Sequence, residues 1–232
     1  MIEPRAFQTS GNPFEFRNFE LERPAPNHSD GGTKHLIGNW LGGAAPRDVA
    51  PDFVDSETRF LCTLLLASDL CVSLFVTTEF FEDGRYDPFQ KPLFGEADKL
   101  AQFVLHEPRP IAFQSSIPSE PQVPAAIVFK GGGVDQGPVS ADAIYRTSAG
   151  IDNAINARHK NGGIPTFFQV NEDTINAAVD TLTAGYFHLL QLCGWQSNPG
   201  VDTSWDFGQY YFHVYVKRQE APPLFDFRYH WG

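Results

Sequence analysis

The stretch His159–Gln169, HKNGGIPTFFQ, decides how the rest of the chain is read. Two glycines, a proline and an apolar run ending in an amide fit three structures: a phosphate loop, a catalytic turn, or a bend before a buried strand. A phosphate loop needs backbone N–H groups converging at a helix start, in patterns such as GxxxxGK[ST] or GxGxxG. Neither pattern is present, and Pro165 removes an N–H. The stretch is therefore read structurally. Gly162 and Gly163 allow an unusual bend, Pro165 stiffens its exit, Phe167 and Phe168 feed the core, and Gln169 satisfies buried backbone groups.

Working outward, FEFRNFEL (14–21), RFLCTLLLA (59–67), LCVSLFVTTEF (70–80), PIAFQSS (110–116) and AAIVFK (125–130) read as strands. So do YFHLLQLC (186–193), QYYFHVYVK (209–217) and LFDFRY (224–229). Residues 23–56 form a long turn-rich stretch. Gly131–Gly133 read as a turn after AAIVFK. Helices are expected at Glu96–Leu105, with Leu100, Phe103 and Val104 as the apolar stripe, and at Asn171–Thr183, capped by Gly185. A further helical face carries Ile144, Ile151 and Ile155, with Ser140 as its N-cap. The expected fold class is α+β, sheet-dominated, in a single domain over 1–232.

An internal repeat is expected within that domain, covering 14–130 and 140–232. NWLGGAAP (39–46) precedes one pair of apolar strands and KNGGIPTF (160–167) precedes another. The glycine pairs Gly42-Gly43 and Gly162-Gly163 stand 120 positions apart.

Over residues 158–217 the chain resembles the YwqG-like family of poorly characterised bacterial proteins. The residues that carry the resemblance are the turn Gly162-Gly163-Ile164-Pro165 ending in Gln169, the strand Phe187–Leu192 with Gln191, and Trp205-Asp206-Phe207-Gly208 leading into Tyr210-Tyr211-Phe212. The first half departs from this pattern: two alanines separate Gly43 from Pro46, and its strand has no glutamine. The resemblance implies an α+β fold with a pseudo-duplicated sheet. It implies no established catalytic residues.

Composition narrows the function. The 21 phenylalanines, 18 prolines and 20 glycines favour strands joined by turns. A net charge of -11 argues against nucleic acid and against an anionic membrane surface, and suits a basic protein partner. Cys62, Cys71 and Cys193 include no CxxC, so neither a disulfide framework nor a zinc site is expected. The first residues lack a basic segment followed by an apolar one, and the apolar runs are too short to span a bilayer, so a cytoplasmic location is expected.

None of the seven histidines stands in HxH, HxxxH or HExxH spacing, so no metal and no cofactor is called for. No G-x-S-x-G elbow is present. Cys193 and His188 differ by an odd number of positions, which would set them on opposite faces of a regular strand. Glu79, Glu82, Asp83 and Asp87 form an acidic group beside Phe80-Phe81, read as a solvated loop, as paired carboxylates for acid–base or glycoside chemistry, or as a partner contact. Trp205-Asp206 either lines a pocket or partner surface, or covers one end of the core while Asp206 caps a turn.

The leading expectation is a non-enzymatic cytosolic protein-binding module, of the type that neutralises a basic toxin. Its candidate contacts are Phe80, Phe81, Glu82, Asp83, Trp205 and Asp206. The alternatives are a cleft hydrolase using Asp206 and a histidine, and a phage or structural-assembly component.

Overall fold

The apolar alternations resolve into one sheet. The computed structural model describes residues 5–22, 38–46, 48–50, 58–77, 101–109, 125–135, 140–142, 144, 159–167, 172–193, 210–217 and 222–231. In chain order the strands are β1 (Glu15–Glu22), β2 (Trp40–Leu41), β3 (Thr58–Ala67), β4 (Leu70–Thr77), β5 (Ala101–His106) and β6 (Ala125–Val134). β7 (Lys160–Gly162) precedes helix α1 (Glu172–Thr183), and β8 (Phe187–Cys193), β9 (Tyr210–Lys217) and β10 (Leu224–Trp231) follow.

All ten strands join one antiparallel sheet in the order β10-β9-β8-β7-β1-β6-β2-β3-β4-β5. The sheet curls until its two edge strands meet through side chains, which makes a nearly closed barrel. Its interior is a single apolar cluster, with Leu64, Val72 and Leu74 from one side and Leu190, Val214 and Phe227 from the other. Burial of that continuous surface is the main stabilising term.

These findings correct the expected α+β class. Among the described residues strand accounts for 56% and helix for 12%, so the fold is nearly all sheet. Two local readings account for the difference. The helix expected at 96–105 is a strand from Ala101 onward, and its residues 96–100 lie outside the described residues. Val104 packs on the opposite face of β5 from Phe103 and Leu105. Val104, placed between Phe103 and Leu105, interrupts the alternation and mimics helical spacing over a short window.

Gly131–Gly133 are not a turn but the continuation of β6 against β1. A Cβ on Gly132 would meet the Phe16 carbonyl oxygen, and one on Gly133 would press the Phe16 ring. Glycine is used here for close approach within a sheet. α1 forms as its spacing predicts: Ile175, Ala178 and Val179 face Ile164 and Phe167. Gly185 ends it at φ +90°. Of the third expected helix, Ile144 lies in a helical turn whose N–H donates to Ser140 O at 3.1 Å, while Ile151 and Ile155 lie outside the described residues. So does PIAFQSS.

The strand order has an internal two-fold pattern. Exchanging each of β1–β5 with the strand five places later reverses the order onto itself. The hydrogen bonds obey the same exchange. Asn39 O accepts from Ile127 N at 3.0 Å, and His159 O accepts from Phe19 N at 3.1 Å. Asn39 Oδ1 accepts from Leu65 N at 2.6 Å, and His159 Nδ1 accepts from Cys193 N at 3.0 Å. The double glycines match too: Gly42 and Gly43 lie at φ 71° and 75°, Gly162 and Gly163 at 79° and 69°.

Candidate functional site

The two-fold pattern lets each half act as a control for the other. In the first half, cross-strand pairing sets Trp40, Thr63, Ser73 and Val104 in one row, and Phe60, Phe75 and Gln102 in the next. In the second half the same rows hold Lys160, Gln191, His213 and Arg228, then His188, Tyr215 and Asp226. The first-half rows hold no ionisable side chain: Phe60 and Phe75 meet edge to face at 5.6 Å with Val49 packed on them, and the Thr63 and Ser73 hydroxyls share a hydrogen bond at 2.7 Å. At six of the seven matching positions the second half places an ionisable group, the seventh being Gln191. It does so on the face of β8–β10 turned away from the apolar barrel interior.

The bend after β7 is built around that face. Lys160, 5% exposed, donates its Nζ–H to Ile164 O, lies 3.9 Å from Asp135 Oδ2, and sits over the Phe16 ring. Asp135 Oδ2 in turn accepts from Ile164 N at 2.6 Å. Gln191 Oε1 accepts from Thr166 N at 2.8 Å. Phe167 tilts over His213 with centroids 4.9 Å apart. Burial pulls Lys160 down to about 8, with the Asp135 carboxylate opposing that shift.

The two buried histidines form a chain with assignable protons. His188 Nδ1 faces Gly163 O at 3.3 Å, and a carbonyl can only accept, so Nδ1 carries the proton. Burial, aided by the nearby Lys160 charge, pushes His188 down to about 3, so its ring is neutral and Nε2 is an acceptor. His213 Nδ1, 3.3 Å away, must then be the donor. Tyr215 flanks both rings, at 5.3 Å from His188 and 6.3 Å from His213. Its phenol is pushed up by burial, with Arg228 working against that. On β10 the Arg228 guanidinium pairs with Asp226 two residues away on the same strand face.

Of the residues singled out from sequence, Gly162, Gly163 and Pro165 lie in this bend. Glu79, Phe80, Phe81, Glu82, Asp83, Asp87, Trp205, Asp206 and Gln169 lie outside the described residues. The opposite-face argument about His188 and Cys193 needs correction. A register shift between His188 and Leu190 pairs His188 with Tyr215 and Cys193 with Tyr211, which share a face of β9. Lys160, Asp135, Asp226 and Arg228 were not recognised. The available signal was polar residues at like-facing positions of otherwise apolar strands. Burial pushes the Cys71 thiol up to about 11 and Cys62 higher still, which makes both poor nucleophiles.

Among the described residues no group of three or more His, Cys, Asp or Glu could hold a metal, and no helix is long and apolar enough to cross a membrane. Compared with protein-family models, curated proteins and solved structures, the chain finds no match.

Proposed function

We propose that the chain is a non-enzymatic protein-binding module whose partner is a basic protein, in the manner of an immunity-type neutraliser. One observation carries the choice of binding over catalysis. The polar groups of the second-half face are engaged with one another: Lys160 with Ile164 O and Asp135, His188 between Gly163 O and His213, Arg228 with Asp226. Such a network fixes the bend after β7 against β8 and β9. It holds its protons in place at neutral pH, because burial keeps His188 neutral. A net charge of -11 then favours encounter with a positively charged partner. Membership of the YwqG-like family belongs to the same proposal. Its support is the Gly162–Pro165 turn, Gln191, and the two-fold order of strands.

The test is capture from the native source followed by association kinetics. A basic partner should associate more slowly as salt rises through physiological strength. Charge reversal at Glu82 and Asp83 should slow association while leaving dissociation nearly unchanged. Capture of acidic partners alone, or a salt-independent association rate, would overturn the proposal.

The second reading is a cleft hydrolase using Asp206 and a histidine. The observation favouring it is the Gly163–His188–His213 chain, which orients the His213 ring as a second group orients a catalytic base.

A further inference from the structure

The segment ahead of β1 is held in a way that its role as a leading strap does not require. Five main-chain atoms of Arg5–Gln8 are gripped. Arg5 O accepts from Asn39 Nδ2 at 2.8 Å, and Ala6 O from Arg17 Nη1 at 3.1 Å. Phe7 N donates to Leu65 O at 2.7 Å. Asn161 takes Gln8 at both ends: its Oδ1 accepts from Gln8 N at 2.7 Å and its Nδ2 donates to Gln8 O at 2.9 Å. Asn39 and Asn161 are buried, at 5% and 0% exposure, and occupy different halves of the sheet.

Side chains of the segment alternate. From Ala6 to Ser10, Phe7 and Thr9 are buried, while Ala6 and Gln8 are half-buried and Ser10 is exposed, as in an extended peptide laid in a groove. Phe7 enters a pocket between Phe19 and Phe129, with centroids 5.9 and 5.1 Å away. Main-chain contacts made by amide side chains supply affinity without regard to sequence, and one aromatic pocket supplies selectivity. That is the logic of peptide recognition along an extended strand.

The connection to β1 is a short glycine turn. Gly11 lies at φ 111°, and the Asn12 turn follows, with Asn12 O accepting from Glu15 N at 3.0 Å.

We propose that Asn39, Leu65 O, Arg17, Asn161 and the Phe19–Phe129 pocket form a peptide-binding cradle, and that the occupant it accepts from outside is the 5–10 arm of a second copy, giving an arm-exchanged dimer. The occupant is specified by the segment already seated, whose register and aromatic spacing fit the cradle. Docking within one chain and docking between chains make the same contacts. They differ in effective concentration, on the order of millimolar for a short connector, and in the geometry of that turn.

The test is to shorten the turn in the full chain by deleting Gly11 and Asn12, so that the arm cannot reach its own cradle, and to measure mass by light scattering. A dimer is expected, and Phe7→Ala added to the shortened chain should return it to a monomer. A folded monomer, or a dimer insensitive to Phe7→Ala, would overturn the proposal. A second measurement avoids the deletion. The full chain carrying Phe7→Ala should bind a synthetic peptide of residues 3–12 saturably, with the Asn161 side-chain amide resonances shifting. The same peptide with Phe7→Ala should bind at least tenfold more weakly. Equal binding of the two peptides, or no binding to the folded variant, would also overturn it.

Discussion

Phe103 of β5 and Phe225 of β10 stack with centroids 4.9 Å apart and planes 17° from parallel, joining the two ends of a ten-strand sheet. Among the described residues no ladder pairs β5 with β10, so side chains close the barrel there.

This closure predicts coupling between the ends of the chain. Phe103→Ala and Phe225→Ala should each destabilise by about 2 kcal/mol, less than a fully buried Phe→Ala because both rings are only partly buried. A double-mutant cycle should return about 1 kcal/mol of coupling. Strictly additive denaturant midpoints would show that the rings meet without closing anything. Since both halves feed one core, unfolding should also be a single transition by fluorescence and by circular dichroism.

The glycines divide by mechanism. Gly163 lies at φ 69°, and a Cβ there would meet Asp135 Oδ2 and lie 2.8 Å from Phe16 Cβ, so Gly163→Ala should cost about 2 kcal/mol or more. Gly132→Ala should be costly for a different reason, contact with the Phe16 carbonyl. Gly131 has open space around it, and Gly131→Ala should be neutral or mildly stabilising. Equal midpoints for the three variants, measured by urea unfolding, would refute the packing account of β6.

Lys160 makes stability depend on alkaline pH. Its folded value of about 8 lies below the ordinary value of 10.5, so between these limits the unfolded chain binds more protons and stability rises with pH. The gain is up to about 3 kcal/mol by pH 10.5, reckoned at 1.36 kcal/mol per pKa unit. Lys160→Met should abolish the rise. A flat profile for the native chain between pH 8 and 10 would place the ammonium in a far better solvated setting than its burial implies.

Much of the architecture is legible in the sequence, because strand alternation needs only local residues. β1, β3, β4 and β8–β10 appear within a residue or two of the alternating runs, residues 78–80 of the β4 run lying outside the described residues. The rest fails where local pattern and tertiary packing part. In Ala101–His106, Val104 between Phe103 and Leu105 interrupts the alternation, which hides its period. Gly131–Gly133 continue a strand, and Gly132 and Gly133 serve close packing against Phe16 rather than a turn.

The candidate site is legible only in pieces. Lys160, Gln191, His213 and Arg228 form one row through three separate strand pairings, and no local spacing reveals a row. The bulge after His188 also breaks the parity rule that would have placed its neighbours.

Acid should unfold the protein through two histidines. Burial holds both His159 and His188 down to about 3, so below the ordinary value of 6.5 the unfolded chain binds protons that the folded chain refuses. Stability should be fully present above pH 6.5 and fall as pH drops toward 3, by up to about 1.4 kcal/mol per pH unit for each ring. Urea midpoints measured from pH 7 to pH 4 check this. His188→Gln should remove about half of the slope, and an unchanged slope would assign the acid sensitivity elsewhere.

The most direct test of the internally engaged polar face is nitrogen-15 NMR of the imidazoles between pH 7 and pH 4.5. His159, whose Nδ1 accepts from Cys193 N, should be the neutral Nε2–H tautomer, and His188, which donates to Gly163 O, the neutral Nδ1–H tautomer. Both patterns should persist across that range while the fold holds. A His188 ring that gains a proton with a midpoint near 6.5 in the folded protein, or that rests as the Nε2–H tautomer, would contradict the account and shift weight to a histidine working on a substrate.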